Sequence, residues 1–276
     1  MRKTSFFILC CVMVTIVVAC NKGATQKESE VIEKLSEETS TESQLATIVE
    51  RGVLRVGTTG DYKPFTYLNA DTGEFEGSDI DAATLLAGEL GGEVEFVETS
   101  WPTLLEDLLA NKFDIAMGGI TRTLERQKVA HMSKPYLDFG KAAIIRKEDK
   151  DRFTSVETMN QPDVKVGVNP GGTNEQYVRE YLTKTDVTVV ENNLDIPGMV
   201  ADGTFDVMIS ENLEALLFAK EDDRLYATFV DKPLTKSQMG YMMRQGETEW
   251  HNFVDLWVDE MLLNDTFKEL EEKWMQ

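Results

Sequence analysis

The chain has 276 residues, with 28 Lys and Arg against 49 Asp and Glu and a net charge of −21. That acidic balance, without a basic patch or interleaved aromatic and basic residues, excludes the electrostatic footprint of phosphate-backbone binding, so no nucleic-acid partner is expected. Any anionic small molecule must be drawn in by a local cluster of positive groups acting against the overall field.

At the amino terminus Arg2 and Lys3 precede a largely apolar run, Phe6 to Ala19, which ends at Cys20. The run falls short of the ~20 residues that a membrane-spanning helix needs. With its basic start it reads as a signal peptide over 1–19. Val17-Val18-Ala19-Cys20 resembles the lipobox of bacterial lipoproteins, which makes Cys20 the expected lipidation site and first mature residue. The alternative for Cys20 is an ordinary core cysteine. Lipidation would fix the protein to a membrane of the cell envelope, on its periplasmic or extracytoplasmic side. Cys10 and Cys11 would leave with the signal, so the fold must rest on its core rather than on disulfides. Residues 20–44 are rich in Ser, Thr, Glu and Lys and read as a disordered tether, because they cannot bury enough apolar surface to offset ordering. The rest is long for a single core and implies two lobes.

Beyond the tether, short apolar runs alternate with amphipathic stretches in a βαβα pattern. Val53 to Val56 reads as a strand, Ser78 and Asp79 as caps of a helix that reaches Leu90 and ends at Gly91-Gly92, and Val94 to Val97 as a second strand. Ser100-Trp101-Pro102 opens a helix to Ala110, the strand Asp114 to Met117 follows, and the loop Gly118 to Arg122 leads into a helix over Thr123 to Val129. The alternation then repeats, with strand Val164 to Val168, the turn Asn169 to Thr173, a helix to Leu182, strand Val187 to Val190, and a helix that ends near Gly203. Last comes "FDVMISENLEALLF" (205–218), a strand running directly into a helix. In open α/β sheets ligands bind beyond the carboxyl ends of the strands. Thr58 to Tyr62, Gly118 to Arg126, Gly171 to Thr173 and Ser210 to Glu214 all fall at such edges. Glu211 and Glu214 lie three apart at a strand-to-helix junction, so a helix would project both from one face.

The strings "GVLRVGTTGDYKPFTY" (52–67), "FDIAMGGITRTLERQKVAHMSKPY" (113–136) and "FDVMISENLEALL" (205–217) resemble the extracellular solute-binding proteins of amino-acid transporters, family 3, which have the type II periplasmic-binding fold. The resemblance implies a two-lobed α/β protein with a ligand cleft between lobes. The chain would cross between them twice, giving lobe 1 over 45–141 plus 238–276 and lobe 2 over 142–237. Within that superfamily "TTGDYKPF", "TSWPTLLEDL", "FDIAM", "LERQ" and "VNPGGTNE", in this order, resemble the cyclohexadienyl dehydratases. Those enzymes remove water and carbon dioxide from prephenate or arogenate, giving phenylpyruvate or phenylalanine.

The resemblance assigns roles one residue at a time. Arg126 matches the arginine that grips the ligand carboxylate, with Thr121 as a further donor. Tyr62 and Trp101 match aromatic walls, suited to a flat cyclohexadiene. Thr59 and Thr173 match further polar contacts, and Gly172 stands where amino-acid binders often carry Thr, which would widen the site. Lys141, at the first crossing, can supply positive charge to a dianion or stand exposed. Glu211 stands where binders place an Asp for the ligand ammonium. Glu214 stands where the dehydratases place their catalytic glutamate, and its alternative is a solvated carboxylate favoured by the helix dipole. As a general acid, Glu214 would need burial to keep its proton at neutral pH. The implied partner is a small anionic substrate, with no cofactor. Under the alternative, an amino-acid-binding lipoprotein of an ABC transporter, a permease would be the partner. A bare ligand-sensing module is a third use of the same fold. His131 and His251 show no metal-ligand spacing, and neither a Walker sequence nor a Rossmann fingerprint is present.

Overall fold

The computed structural model describes residues 43–276. The signal segment, Cys20 and nearly all of the tether lie outside the described residues.

The chain begins with α1 (Gln44–Arg51), β1 (Val53–Thr58) and a small antiparallel sheet of β2 (Asp61–Tyr62), β3 (Thr66–Leu68) and β4 (Phe75–Glu76). It continues through α2 (Ser78–Glu89), β5 (Glu93–Glu98), α3 (Leu104–Leu109), β6 (Ile115–Ala116), α4 (Leu124–Val129), β7 (His131–Met132) and β8 (Leu137–Phe139). A second run follows: β9 (Lys141–Arg146), α5 (Val156–Met159), β10 (Lys165–Val168), α6 (Thr173–Tyr181), β11 (Asp186–Val189), α7 (Ile196–Ala201), β12 (Val207–Glu211), α8 (Asn212–Glu221) and β13 (Leu225–Thr228). The chain then returns through β14 (Ser237–Met239) and β15 (Met242–Met243) to α9 (Thr248–Leu263) and α10 (Thr266–Trp274).

Two five-stranded sheets result, in the orders β5-β1-β6-β15-β7 and β11-β10-β12-β9-β13. In the first, β5, β1 and β6 are parallel and β15 pairs antiparallel with both β6 and β7. In the second, β11, β10 and β12 are parallel and β9 runs antiparallel to both β12 and β13. The passages between sheets, β8 and β14, pair antiparallel with Phe139 opposite Ser237.

Each sheet has an apolar layer on both faces, as parallel strands covered by helices require. Along β9 the side chains alternate: Ala143 and Ile145 join Val166, Val168 and Tyr177 on one face, while Ala142 and Ile144 join Ile196, Phe205 and Phe218 on the other. The first sheet packs Leu54, Val56 and Met117 against Trp250 and Val254, and on its other face Ala116 and Met242 against Leu104, Leu108 and Phe113. Among the described residues no helix is long and apolar enough to cross a membrane.

Two expected helix starts shift. Gly77 is the residue that precedes α2, so Ser78 and Asp79 lie within its first turn and are buried. Instead of capping, the Asp79 carboxylate accepts from Gly119 N at 2.7 Å, Tyr136 Oη at 2.7 Å and Tyr241 Oη at 3.0 Å. Ser100 to Thr103 form a turn, with Leu104 N bonded to Ser100 O at 2.8 Å, so α3 begins at Leu104 and leaves Trp101 free of the helix.

Candidate functional site

The carboxyl ends of the two sheets face each other, and the loops there close on one small cavity. Tyr62, Trp101, Thr121, Arg126, Gly172, Thr173 and Glu211 line it together, joined by Gly119, Asn169, Asn174 and Asn193. Thr59 is not on this wall; its hydroxyl is buried nearby in sequence without a hydrogen-bond partner. The cavity measures about 20 Å³, whereas ligand clefts are on the order of 300 Å³ or more. Polar links across the cleft hold this closed state. Tyr62 Oη donates to Glu211 Oε2 at 2.6 Å, Asn193 Nδ2 donates to the Asp61 carbonyl at 3.0 Å, and the Thr121 and Thr173 hydroxyls lie 3.3 Å apart. A ligand enters only if the two sides part.

Lys141 is buried, not exposed. As the first residue of β9 it lies opposite Glu211, the last of β12. Its ammonium donates to Glu211 Oε1, to Asn174 Oδ1 and, at 2.8 Å, to Thr173 Oγ1. Burial pulls the Lys141 pKa down, with Glu211 pulling the other way. The Glu211 carboxylate also accepts from Asn174 Nδ2 at 3.3 Å, so an internal cation and two neutral donors already surround it.

Glu214, in the first turn of α8, is fully buried. Its Oε1 accepts from Asn193 Nδ2 at 2.8 Å and its Oε2 accepts from the Ser210 hydroxyl. Both partners are neutral. Burial drives its pKa well above the ordinary glutamate value, and the negative neighbours Glu211 and Asp61 push the same way, against the hydrogen bonds from Ser210 and Asn193. Glu214 does not itself line the cavity; Asn193, which does, ties it to the wall.

The remaining residues set the walls. Arg126 Nη1 donates to the Thr121 carbonyl at 2.6 Å, and burial lowers its pKa to about 10. The Thr123 hydroxyl caps α4 by accepting from Arg126 N at 3.1 Å. Trp101 Nε1 donates to Asp61 Oδ1 at 3.0 Å, and its ring meets that of Tyr62 edge-on at 5.9 Å. At Gly172 an added Cβ would meet nothing closer than 3.9 Å, so a larger residue fits there and would fill cleft space. Gly171 is different: with φ +79°, an added Cβ would lie 2.7 Å from Pro102 N across the cleft. In the same turn Gly171 N donates to Glu175 Oε2 at 2.8 Å, so that backbone donor already has an anionic partner.

Sequence reasoning did not assign Asn169, Asn174 or Asn193 to the site, and it placed Ser210 at a ligand edge without a role. The only signal for the three asparagines was position, beside strand ends already marked as ligand edges. The two histidines stack on each other, with ring centroids 3.8 Å apart, and do not line the cavity.

The fold is the two-lobed type II periplasmic-binding-protein fold, and the chain belongs to the bacterial extracellular solute-binding proteins, family 3, which it matches over residues 54–276. Within that family it is similar to the cyclohexadienyl dehydratase of Pseudomonas aeruginosa, with 39% identity over 235 residues that cover 85% of this chain and 87% of that protein. Among solved structures it is similar to an ancestral cyclohexadienyl dehydratase (55% identity, 85% of this chain and 97% of that chain, TM-score 0.54). It is also similar to an ancestral amino-acid-binding protein described as a precursor of cyclohexadienyl dehydratase (38% identity, 85% and 100%, TM-score 0.78). Enzymes and ligand receptors thus both stand among its relatives.

Proposed function

We propose that this protein is a cyclohexadienyl dehydratase that acts on prephenate, exported to the cell envelope and anchored there through Cys20. The lobes are 45–141 with 238–276, and 142–237. The observation that carries the reading is the Glu214 carboxyl, buried beside the cleft with only neutral partners. A carboxyl so placed retains a proton to donate.

Arg126, with Thr121 and Thr173, grips the side-chain carboxylate of the substrate as a planar donor pair suits. Tyr62 and Trp101 enclose the ring, and Gly172 leaves room for it. Glu214 gives its proton to the departing ring hydroxyl, which leaves as water. The bond to the ring carboxylate breaks, carbon dioxide departs, and that electron pair completes the aromatic ring of phenylpyruvate. Lys141, which does not line the closed cavity and is paired with Glu211, meets the second negative charge of the dianion only when the lobes part.

The relatives also support a second reading, an amino-acid receptor. The Lys141–Glu211 pair weighs against it, because the carboxylate that would take a ligand ammonium already holds a cation. The same pair favours prephenate over arogenate, which carries an ammonium. The test is to incubate the purified protein with prephenate at neutral pH and follow phenylpyruvate. Glu214→Gln keeps the shape of the side chain and cannot donate the proton. Turnover should disappear while substrate binding persists, and a variant that still forms phenylpyruvate removes Glu214 from the mechanism.

A further inference from the structure

Asp61 is a second carboxyl at the same cleft, on the opposite lobe from Glu214. Its carboxylate accepts from Trp101 Nε1 at 3.0 Å, and its carbonyl accepts from Asn193 Nδ2 at 3.0 Å. That same Asn193 nitrogen donates to Glu214 Oε1 at 2.8 Å. One amide therefore ties the backbone of Asp61 to the carboxyl of Glu214, and one indole ties the Asp61 side chain to the aromatic wall. We propose that Asp61 is a positioning residue: its carboxylate fixes the Trp101 ring and, as a nearby negative charge, keeps the proton on Glu214. The proposal rests on the dehydratase reading for its kinetic consequence.

The division of charge follows from the surroundings. Asp61 is only partly buried and has an indole donor, whereas Glu214 is sealed. Burial raises the pKa of both carboxyls but drives that of Glu214 well above its ordinary value, so of two carboxyls that repel each other the more solvated Asp61 carries the charge. Other charged groups face Glu214 as well. Glu211 at the end of β12 also disfavours its ionisation. Lys141 on β9 is attracted to it, and Tyr62 on β2 is itself held neutral by burial and by both glutamates. Because Lys141 is paired with Glu211, the two largely offset each other, and of the two carboxylates that act on Glu214 it is Asp61 that has no cationic partner among the described residues.

Asp61→Asn removes the charge and keeps an oxygen for the indole, whereas Asp61→Ala removes both. With prephenate, Asp61→Asn should move the alkaline limb of the kcat profile down by about one pH unit with little change in KM. Asp61→Ala should show the same shift and also a raised KM, as Trp101 loses its tether. A titration of the Glu214 carboxyl by carbon-13 NMR, assigned by its loss in Glu214→Gln, should show the same downward shift in Asp61→Asn without any turnover. If Asp61→Asn does not fold, Asp61→Ser makes the same charge test. An unmoved NMR titration and an unmoved alkaline limb overturn the role of Asp61. Wild-type protein that forms no phenylpyruvate but shows the NMR shift overturns the dehydratase reading and leaves Asp61 holding the proton on Glu214.

Discussion

Glu211 and Glu214 lie three residues apart, and spacing alone projects them together, yet they end in different electrostatic surroundings. Glu211 closes a strand that pairs with β9, so register delivers the Lys141 ammonium to it; Glu214 lies in the first turn of α8 and meets only Ser210 and Asn193. The pairing of strands far apart in sequence made that difference, and periodicity cannot reveal it. Two consequences can be measured. A carboxyl whose folded-state pKa is raised takes up a proton on folding, so its stability contribution is whole below about pH 4.3 and is lost as pH rises toward the raised value. Glu214→Gln never ionises. Its melting temperature should match wild type near pH 4 and exceed it increasingly toward neutrality. The gap should grow by about 1.4 kcal/mol for every tenfold fall in proton concentration until the raised pKa is reached, or roughly 2–4 °C per kcal/mol. A difference that does not change with pH would show that Glu214 is not held neutral. The Lys141–Glu211 pair behaves differently, because removing one partner strands a buried charge. Lys141→Met should lower stability by about 3–5 kcal/mol in urea unfolding, and adding Glu211→Gln should recover most of it. Equal losses in the single and double variants would mean that packing, not charge, is what Lys141 supplies.

At the scale of elements, the parallel strands and their following helices were legible because apolar runs and glycine-ended turns come in chain order. Strands β9 and β15, which run antiparallel within the two large sheets, were not, since their partners lie far along the chain. The loops at the strand ends were legible as a ligand edge, but not that Gly171 would press on Pro102 from the other lobe. That contact gives the turn a role of its own: it sets how closely the lobes approach. Gly171→Ala places a methyl group 2.7 Å from Pro102 N in a left-handed backbone conformation. The variant should keep both sheets intact, hold the cleft wider and bind substrate at least tenfold more weakly. Small-angle scattering should show a larger radius of gyration than wild type, and an unchanged radius with unchanged affinity would place the closure contact elsewhere.

For the molecule as a whole, the closed cleft separates catalyst from receptor. A receptor gains from a tight ground-state complex, and a ligand that binds only the folded protein stabilises it by RT ln(1 + [L]/Kd), roughly 2.7 kcal/mol at a hundredfold excess over Kd. An enzyme accelerates its reaction only through contacts stronger in the transition state. Here the ligand-facing carboxylate is spoken for by Lys141, and the lobes already touch through Tyr62–Glu211 and Asn193–Asp61. An amino acid would have to displace an internal ammonium with its own, exchanging one ion pair for another while leaving Lys141 buried and unpaired. Melting scans against the twenty proteinogenic amino acids should therefore give shifts below about 1 °C, while prephenate is turned over by the same preparation. A shift of several degrees with one amino acid, together with no product from prephenate or arogenate, would make the protein a receptor whose ligand breaks the Lys141–Glu211 pair. In that case Lys141→Met should tighten the amino acid's binding, which no dehydratase mechanism predicts.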